Sequence, residues 1–348
     1  VQDLAIVGGG PAGLATAIFA ALEGIPAIVL ERRWFPIDKA CGEGLMPHGV
    51  DLLHAMGVRI EKSYAFEGIR YIDGERVAEA RFREGCGLGV RRTELSRALL
   101  ARARALGVEV REGIRVDTVV QWRDGVTLSF PGGSLDAAYV AIADGLGSLV
   151  PRERRGGLRE RYGFRRHYRV APWSSMVEVH WTDGAEAYVT PVSEDEVGIA
   201  ILWHRPASSW ESMLSRFGAL ARHLGSASPI TTVQGAGPFR RRTRRAAGGR
   251  VALVGDASGY VDAITGEGIA IAFECARALA RSLRTADLRV YERAHRSILS
   301  RYRRTTEFVL ALAAFPFLRH GVVSVLSEQS WLFDHCLRLA QPNARGLT

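Results

Sequence analysis

Cysteine is scarce. The four present (Cys41, Cys86, Cys275 and Cys336) form no C-x-x-C pair and sit at no metal-ligand spacing, so neither a disulfide framework nor a metal centre is expected. No charged-then-apolar leader precedes the first apolar segment, and a reduced, cytoplasmic setting is the expectation. Long apolar runs are also missing. The richest stretch, residues 308–326, is interrupted by Pro316, Arg319 and His320. It reads as a packed or surface-facing helix pair, which argues against a transmembrane span and leaves peripheral membrane contact open. No repeat or low-complexity tract is visible. Acidic residues are outnumbered, 37 against 46 basic ones, giving a net charge of +9 carried mostly by arginine. Such a surface attracts anions, but no nucleic-acid motif accompanies it and no nucleic-acid partner is expected. A hydrophobic content of 47% over 348 residues is that of a globular chain long enough for two domains.

What is present is concentrated at the start. Val1 to Val7 reads as a buried strand, Gly8-Gly9-Gly10-Pro11-Ala12-Gly13 follows, and an Ala-rich helix runs from Leu14 to Leu22. This is G-x-G-x-x-G between a strand and a helix. Gly8 permits the tight turn, Gly10 lets backbone approach a pyrophosphate, and Gly13 lets helix and strand pack closely. The helix N-terminus adds free N–H groups and a positive dipole end. A second strand, Pro26 to Leu30, ends in Glu31, an acid placed to bind the hydroxyls of an adenosine ribose.

Further along, Cys41-Gly42-Glu43-Gly44 marks a loop, and His48 to Met56 and Thr93 to Ala103 read as helices. Tyr64 to Arg83 reads as strands with a hairpin at Asp73-Gly74, and residues 162–203 as an antiparallel sheet. Trp210 to Leu224 is expected to be one helix and Arg240 to Arg245 a basic bend. Two buried strands lead into Asp144-Gly145 and into Gly255-Asp256-Ala257. From Gly268 the pattern is helical almost to the end. The sheet region is therefore expected to be inserted into the nucleotide fold.

The opening loop, Asp144-Gly145 and Gly255-Asp256 together resemble the FAD-dependent oxidoreductases of the p-hydroxybenzoate-hydroxylase fold. That group includes aromatic monooxygenases, flavin halogenases and geranylgeranyl reductases. The resemblance implies an α/β chain: a discontinuous Rossmann-like FAD-binding domain (1–70, 90–150, 245–290), an inserted antiparallel-sheet substrate domain (71–89, 151–244) and C-terminal helices (291–348). It implies that Gly8, Gly10, Pro11, Ala12 and Gly13 hold the FAD pyrophosphate, and Glu31 with Arg32 the adenosine ribose. Arg92 would contact FAD, Asp144 and Gly145 would lie where pyridine nucleotide meets FAD, and Asp256 would bind the ribityl chain. Gly266, Gly268 and Ile269 would bring a helix N-terminus to the flavin pyrimidine, where a positive dipole end favours the anionic reduced ring. Cys41 would lie near the flavin as a candidate catalytic residue. Trp173, Trp181, Tyr188 and Pro191 are candidates for the substrate pocket; core packing accounts for the aromatic ones as well.

The branch is mixed. No W-x-W of the halogenases is found. Thr265-Gly266-Glu267-Gly268-Ile269 and Cys41-Gly42-Glu43-Gly44-Leu45 are similar to the geranylgeranyl-reductase branch. Of that branch's Y-x-W-x-F-P strand, however, Ala187-Tyr188-Val189-Thr190-Pro191 keeps Tyr and Pro alone. Three readings stand: NAD(P)H-driven monooxygenation of a lipophilic or aromatic small molecule, to which the missing tryptophan inclines; flavin-hydride reduction of a C=C bond; and flavin binding without turnover. The basic bend and the apolar C-terminal helices suggest guidance of a lipophilic or carrier-protein-bound substrate.

Overall fold

The computed structural model describes residues 1–150, 160–204, 209–329 and 331–335. Cys336 and part of the inserted domain expected at 151–244 lie outside them.

Five parallel strands build the first sheet, in the spatial order Val251–Leu253, Gly133–Ile142, Gln2–Val7, Ala27–Glu31, Glu109–Glu112. Numbered along the chain this is 5-4-1-2-3, a doubly wound order that reverses beside the first strand. Ala5, Ile6, Ile28, Val29 and Ala141 are fully buried, as expected of parallel strands covered on both faces. Helices Pro11–Leu22, Arg92–Ala105 and Gly268–Leu283 share one core with these strands. The two hairpin strands Thr118–Gln121 and Val126–Phe130 extend Gly133–Ile142 antiparallel to its first half.

The second sheet runs Gln234–Ala236, Arg161–Arg169, Glu196–His204, Ala185–Ser193, Val177–Thr182, Gly68–Asp73, Arg76–Arg81. All neighbours are antiparallel except Val177–Thr182 against Gly68–Asp73. The hairpin at Asp73-Gly74 thus joins this sheet from Gly68, three residues before the boundary drawn at 71. A three-stranded ribbon (Gly44–Leu45, Gly87–Gly89, Tyr64–Phe66) brackets the Gly68–Arg81 hairpin of the second sheet in sequence. The helix expected over Trp210 to Leu224 is two, Trp210–Leu214 and Gly218–Leu224. The Ser209 side chain caps the first, and both pack on the second sheet through Trp210, Met213, Leu220 and Leu224. Helix Pro316–Glu328 closes the other edge through Val323 and Leu326 against Ala78 and Ala80.

Candidate functional site

The strand order reverses between Gln2–Val7 and Gly133–Ile142, and their carboxyl ends open a crevice. Gly8 has φ +106°, and a Cβ there would lie 2.6 Å from the Ala143 carbonyl oxygen. A Cβ on Gly13 would lie 1.8 Å from the Gly8 carbonyl oxygen. Gly10 differs: its nearest such neighbour is Arg92 Nη2 at 3.9 Å, and its backbone faces open space. Two glycines therefore fold the loop and the third leaves room. Pro11 opens the helix, where a missing N–H costs nothing.

That space is a cavity of about 720 Å³, within the range of small-molecule and cofactor sites. Gly8, Gly10, Pro11, Ala12, Glu31, Arg32, Cys41, Arg92, Asp144, Gly145, Asp256, Gly266, Gly268 and Ile269 all line it. Its far wall is the inner face of the second sheet, with Ile69, Val177, Val179, Ala200 and Leu202.

Glu31 is tied to the loop itself. Its Oε2 accepts from Gly9 N at 2.5 Å and its Oε1 from Arg33 N at 2.8 Å. Arg92 is buried at the start of its helix, and among the described residues its Nη1 has no hydrogen-bond partner. Burial pulls its pKa below the usual guanidinium value, against the pull of Cys41, Asp256 and Glu43. Asp144 Oδ2 accepts from Leu149 N at 2.7 Å, while Oδ1 is buried and unpartnered among the described residues. An unmet buried donor or acceptor costs about 1–3 kcal/mol. A ligand carrying phosphate and polyol groups supplies both an acceptor and a donor, so the residues present fit FAD. Asp256 lies in the turn Gly255–Ser258 with Lys39 Nζ 3.4 Å from its Oδ2. It does not cap the long helix, which starts at Gly268. At that helix's N-terminus burial pushes Glu267 up to about 7, opposed by Arg301 and reinforced by Glu274.

Cys41 Sγ accepts weakly from Glu43 N at 3.4 Å, and burial raises its pKa, so the group is a thiol at neutral pH. Tyr188 lines the cavity and donates to the Ile264 carbonyl at 2.7 Å. The other substrate-pocket candidates lie elsewhere. Strand alternation turns Pro191 away from the side that Tyr188 and Thr190 present; its carbonyl oxygen sits 1.7 Å from where a Cβ on Gly89 would be. Trp181 shares a face with Val177 and Val179 but packs edge-on against Tyr71, which lines the cavity in its place. Trp173 donates to Glu178 Oε2 at 3.0 Å and stacks on His223 outside the cavity.

One buried, hydrogen-bonded carboxylate in the wall was not among the expected residues. Glu43 is 2% exposed with φ +61°. Its Oε1 accepts from Arg92 N at 2.8 Å, and its Oε2 lies 2.5 Å from His167 Nε2. His167 Nδ1 is 3.1 Å from Arg165 Nη1, and Arg165 also pairs with Asp38. An arginine can only donate, so Nδ1 accepts and Nε2 carries the hydrogen toward Glu43. Two signals were available in the sequence. An acid bracketed by glycines occupies a loop, and Arg161, Arg165 and His167 fall on the inward side of a strand where apolar residues belong.

Residues 2–313 match the family described as FAD binding domain. The chain belongs to that family. It is a flavoprotein oxidoreductase, which sets aside the reading without turnover. Among its relatives, the menaquinone reductase of Mycobacterium tuberculosis (strain ATCC 25618 / H37Rv) is 28% identical over 325 residues, 82% of this chain and 77% of that protein. The 3-amino-4-hydroxybenzoate 2-monooxygenase of Streptomyces platensis is 32% identical over 173 residues, 46% of this chain and 43% of that protein. In fold it is similar to the solved p-nitrophenol 4-monooxygenase of Pseudomonas putida DLL-E4. The TM-score is 0.80 at 20% identity, over 94% of this chain and 93% of that one.

Proposed function

We propose that this FAD-binding protein uses NAD(P)H to reduce a lipophilic, ring-bearing substrate of the quinone class. The observation that carries the reading is the continuity of one cavity from the glycine loop to an apolar sheet face. A menaquinone reductase, one of the relatives that align over most of both chains, supports the same direction. FAD, when bound, supplies two-electron transfer between the reductant and the substrate. In this reading Gly8, Gly10, Pro11 and Ala12 hold the pyrophosphate, Gly13 lets the helix pack close enough to present them, and Glu31 and Arg32 hold the adenosine ribose. Arg92, Asp144, Gly145 and Asp256 hold the remaining polar groups. Gly266, Gly268 and Ile269 present a helix N-terminus to the ring. Ile69, Val179, Leu202 and Tyr188 exclude water from the substrate, and Cys41 shapes its pocket as a neutral thiol.

Monooxygenation is the second reading. Thr190, which lines the cavity and donates to the Gly42 carbonyl at 2.7 Å, stands in the strand where the reductase branch carries its tryptophan. The deciding experiment follows NAD(P)H oxidation with a short-chain menaquinone analogue in air and under argon, with mass analysis of the product. Reduction gives the same rate in both and a product two hydrogens heavier. Stoichiometric oxygen uptake and a product one oxygen heavier would replace it with oxygenation.

A further inference from the structure

We propose that residues 308–318, with the arginines beside them, form a docking face for an anionic membrane surface, from which the cavity takes its substrate. The substrate clause rests on the lipophilic reading above; the docking face does not. The eleven residues read FVLALAAFPFL, without one polar side chain. A soluble interior would bury such a run, yet none of the eleven is buried, and Phe308, Phe315 and Phe317 are 64%, 59% and 87% exposed. Exposed apolar patches of this kind mark interaction surfaces.

Three observations select a bilayer. The run spans the end of helix Leu288–Ala314 and the start of Pro316–Glu328, which meet at 109°. Among the described residues no single helix is long and apolar enough to cross a membrane, but this bent pair is apolar enough when taken together, so the bend presents an apolar apex that can enter an interface. The edge of this apex is cationic. Arg240 Nη2, Arg242 Nη2 and Arg303 Nε converge on Glu307 Oε1 at 3.4, 3.8 and 2.9 Å, immediately before Phe308, and Arg304 beside them is exposed. Three cations sharing one carboxylate leave an excess that anionic headgroups neutralise. A second copy docked face to face would instead bring two such clusters together. Finally, Thr305 and Val309 of the same helix line the cavity. Its inner side is cavity wall while Phe308, next in the chain to Val309, points out, so a substrate passing this helix meets acyl chains in place of water.

The test is co-sedimentation of the FAD-loaded chain with vesicles of phosphatidylcholine alone or mixed with phosphatidylglycerol, from 0.1 M to 1 M salt. Over that range the Debye length falls from ~10 Å to ~3 Å. The wild type should bind the mixed vesicles about tenfold more tightly than the neutral ones at low salt. Phe308→Ser/Phe317→Ser should lose about tenfold or more at every salt concentration. Arg242→Ser/Arg304→Ser should lose the preference for anionic vesicles. Flavin content read from visible absorbance should match wild type in all variants and reports folding separately. Equal binding by wild type and the phenylalanine variant, or no vesicle binding with a dimer that Phe317→Ser abolishes, would overturn the docking face. Vesicle binding retained with no turnover of a quinone would count against the substrate reading alone.

Discussion

His295 shows how one side chain outside the cavity governs the site. It is buried, and its Nε2 lies 2.8 Å from Ser258 Oγ, whose own proton goes to the Gly255 carbonyl at 2.7 Å. The hydroxyl therefore accepts from Nε2–H, and a neutral imidazole braces the turn that carries Asp256. Burial lowers its pKa from 6.5 to about 4, with Arg296 adding to the fall and Glu292 resisting it. Because the unfolded chain takes up the proton first, stability should fall as pH drops from about 6.5 to about 4, by up to ~3 kcal/mol. Urea unfolding of wild type and His295→Gln across that range checks this: the variant should show the shallower slope, and parallel slopes would remove the histidine as the cause. Cys41 gives a second outcome at this scale. Its raised pKa should make it slow toward iodoacetamide at pH 8, so that exposed Cys86 is labelled first. Mass mapping showing Cys41 modified ahead of Cys86 would mean an activated thiolate.

At the level of the element, the glycine loop separates two effects that its motif conflates. Gly13→Ala drives a Cβ into the Gly8 carbonyl, a backbone atom that cannot rotate aside. It should lower the melting temperature of the FAD-free protein as well as FAD affinity. The damage comes from strand and helix being forced apart, not from crowding a pyrophosphate directly. Gly10→Ala meets no described protein atom nearer than 3.9 Å. It should leave the FAD-free melting temperature within about 1–2 °C while weakening FAD binding about tenfold or more. Thermal melts and flavin titrations on both variants test the division; equal effects of the two on the FAD-free protein would refute it.

Across the whole molecule, the basic bend divides into a surface and a tie. Arg240 and Arg242 reach Glu307 near the apolar apex, but Arg241 is 2% exposed. Its guanidinium donates to the carbonyls of Ala257 (3.0 Å), Leu146 (3.2 Å) and Val150 (2.5 Å). It joins the segment leaving the second sheet to both aspartate loops of the first. Within the basic bend Arg241 is therefore a structural tie and not part of the charged surface. Arg241→Ser should cost about 2–4 kcal/mol of stability by removing three hydrogen bonds of a buried guanidinium and stranding the buried Ala257 carbonyl. Arg242→Ser should cost under about 1 kcal/mol, as exposed pairs do. Denaturant curves for the two would distinguish them, and similar losses would return Arg241 to the surface set.

The sequence alone determined the nucleotide half of this protein. Its signals are local: glycines at fixed spacing, an acid at the end of a buried strand, and two aspartate turns, each following an apolar segment whose burial leaves it one conformation. It also determined the antiparallel hairpins of the second sheet, because alternation and Asp-Gly turns act over a few residues, though not the parallel join of Gly68–Asp73 to Val177–Thr182. Tertiary structure decided the rest. Glu43 and His167 are separated by |i−j| = 124 and meet only when the loop after the second strand is laid across the second sheet. Trp173 and Trp181 have the composition of a pocket, yet they face other neighbours, because facing is set by register and by what packs alongside. The arginine bend reads as one charge run, and only packing tells Arg241 from Arg242. Residue type and spacing carry information along the chain, whereas a wall built from two sheets and a helix is written in long-range contacts that no local pattern records.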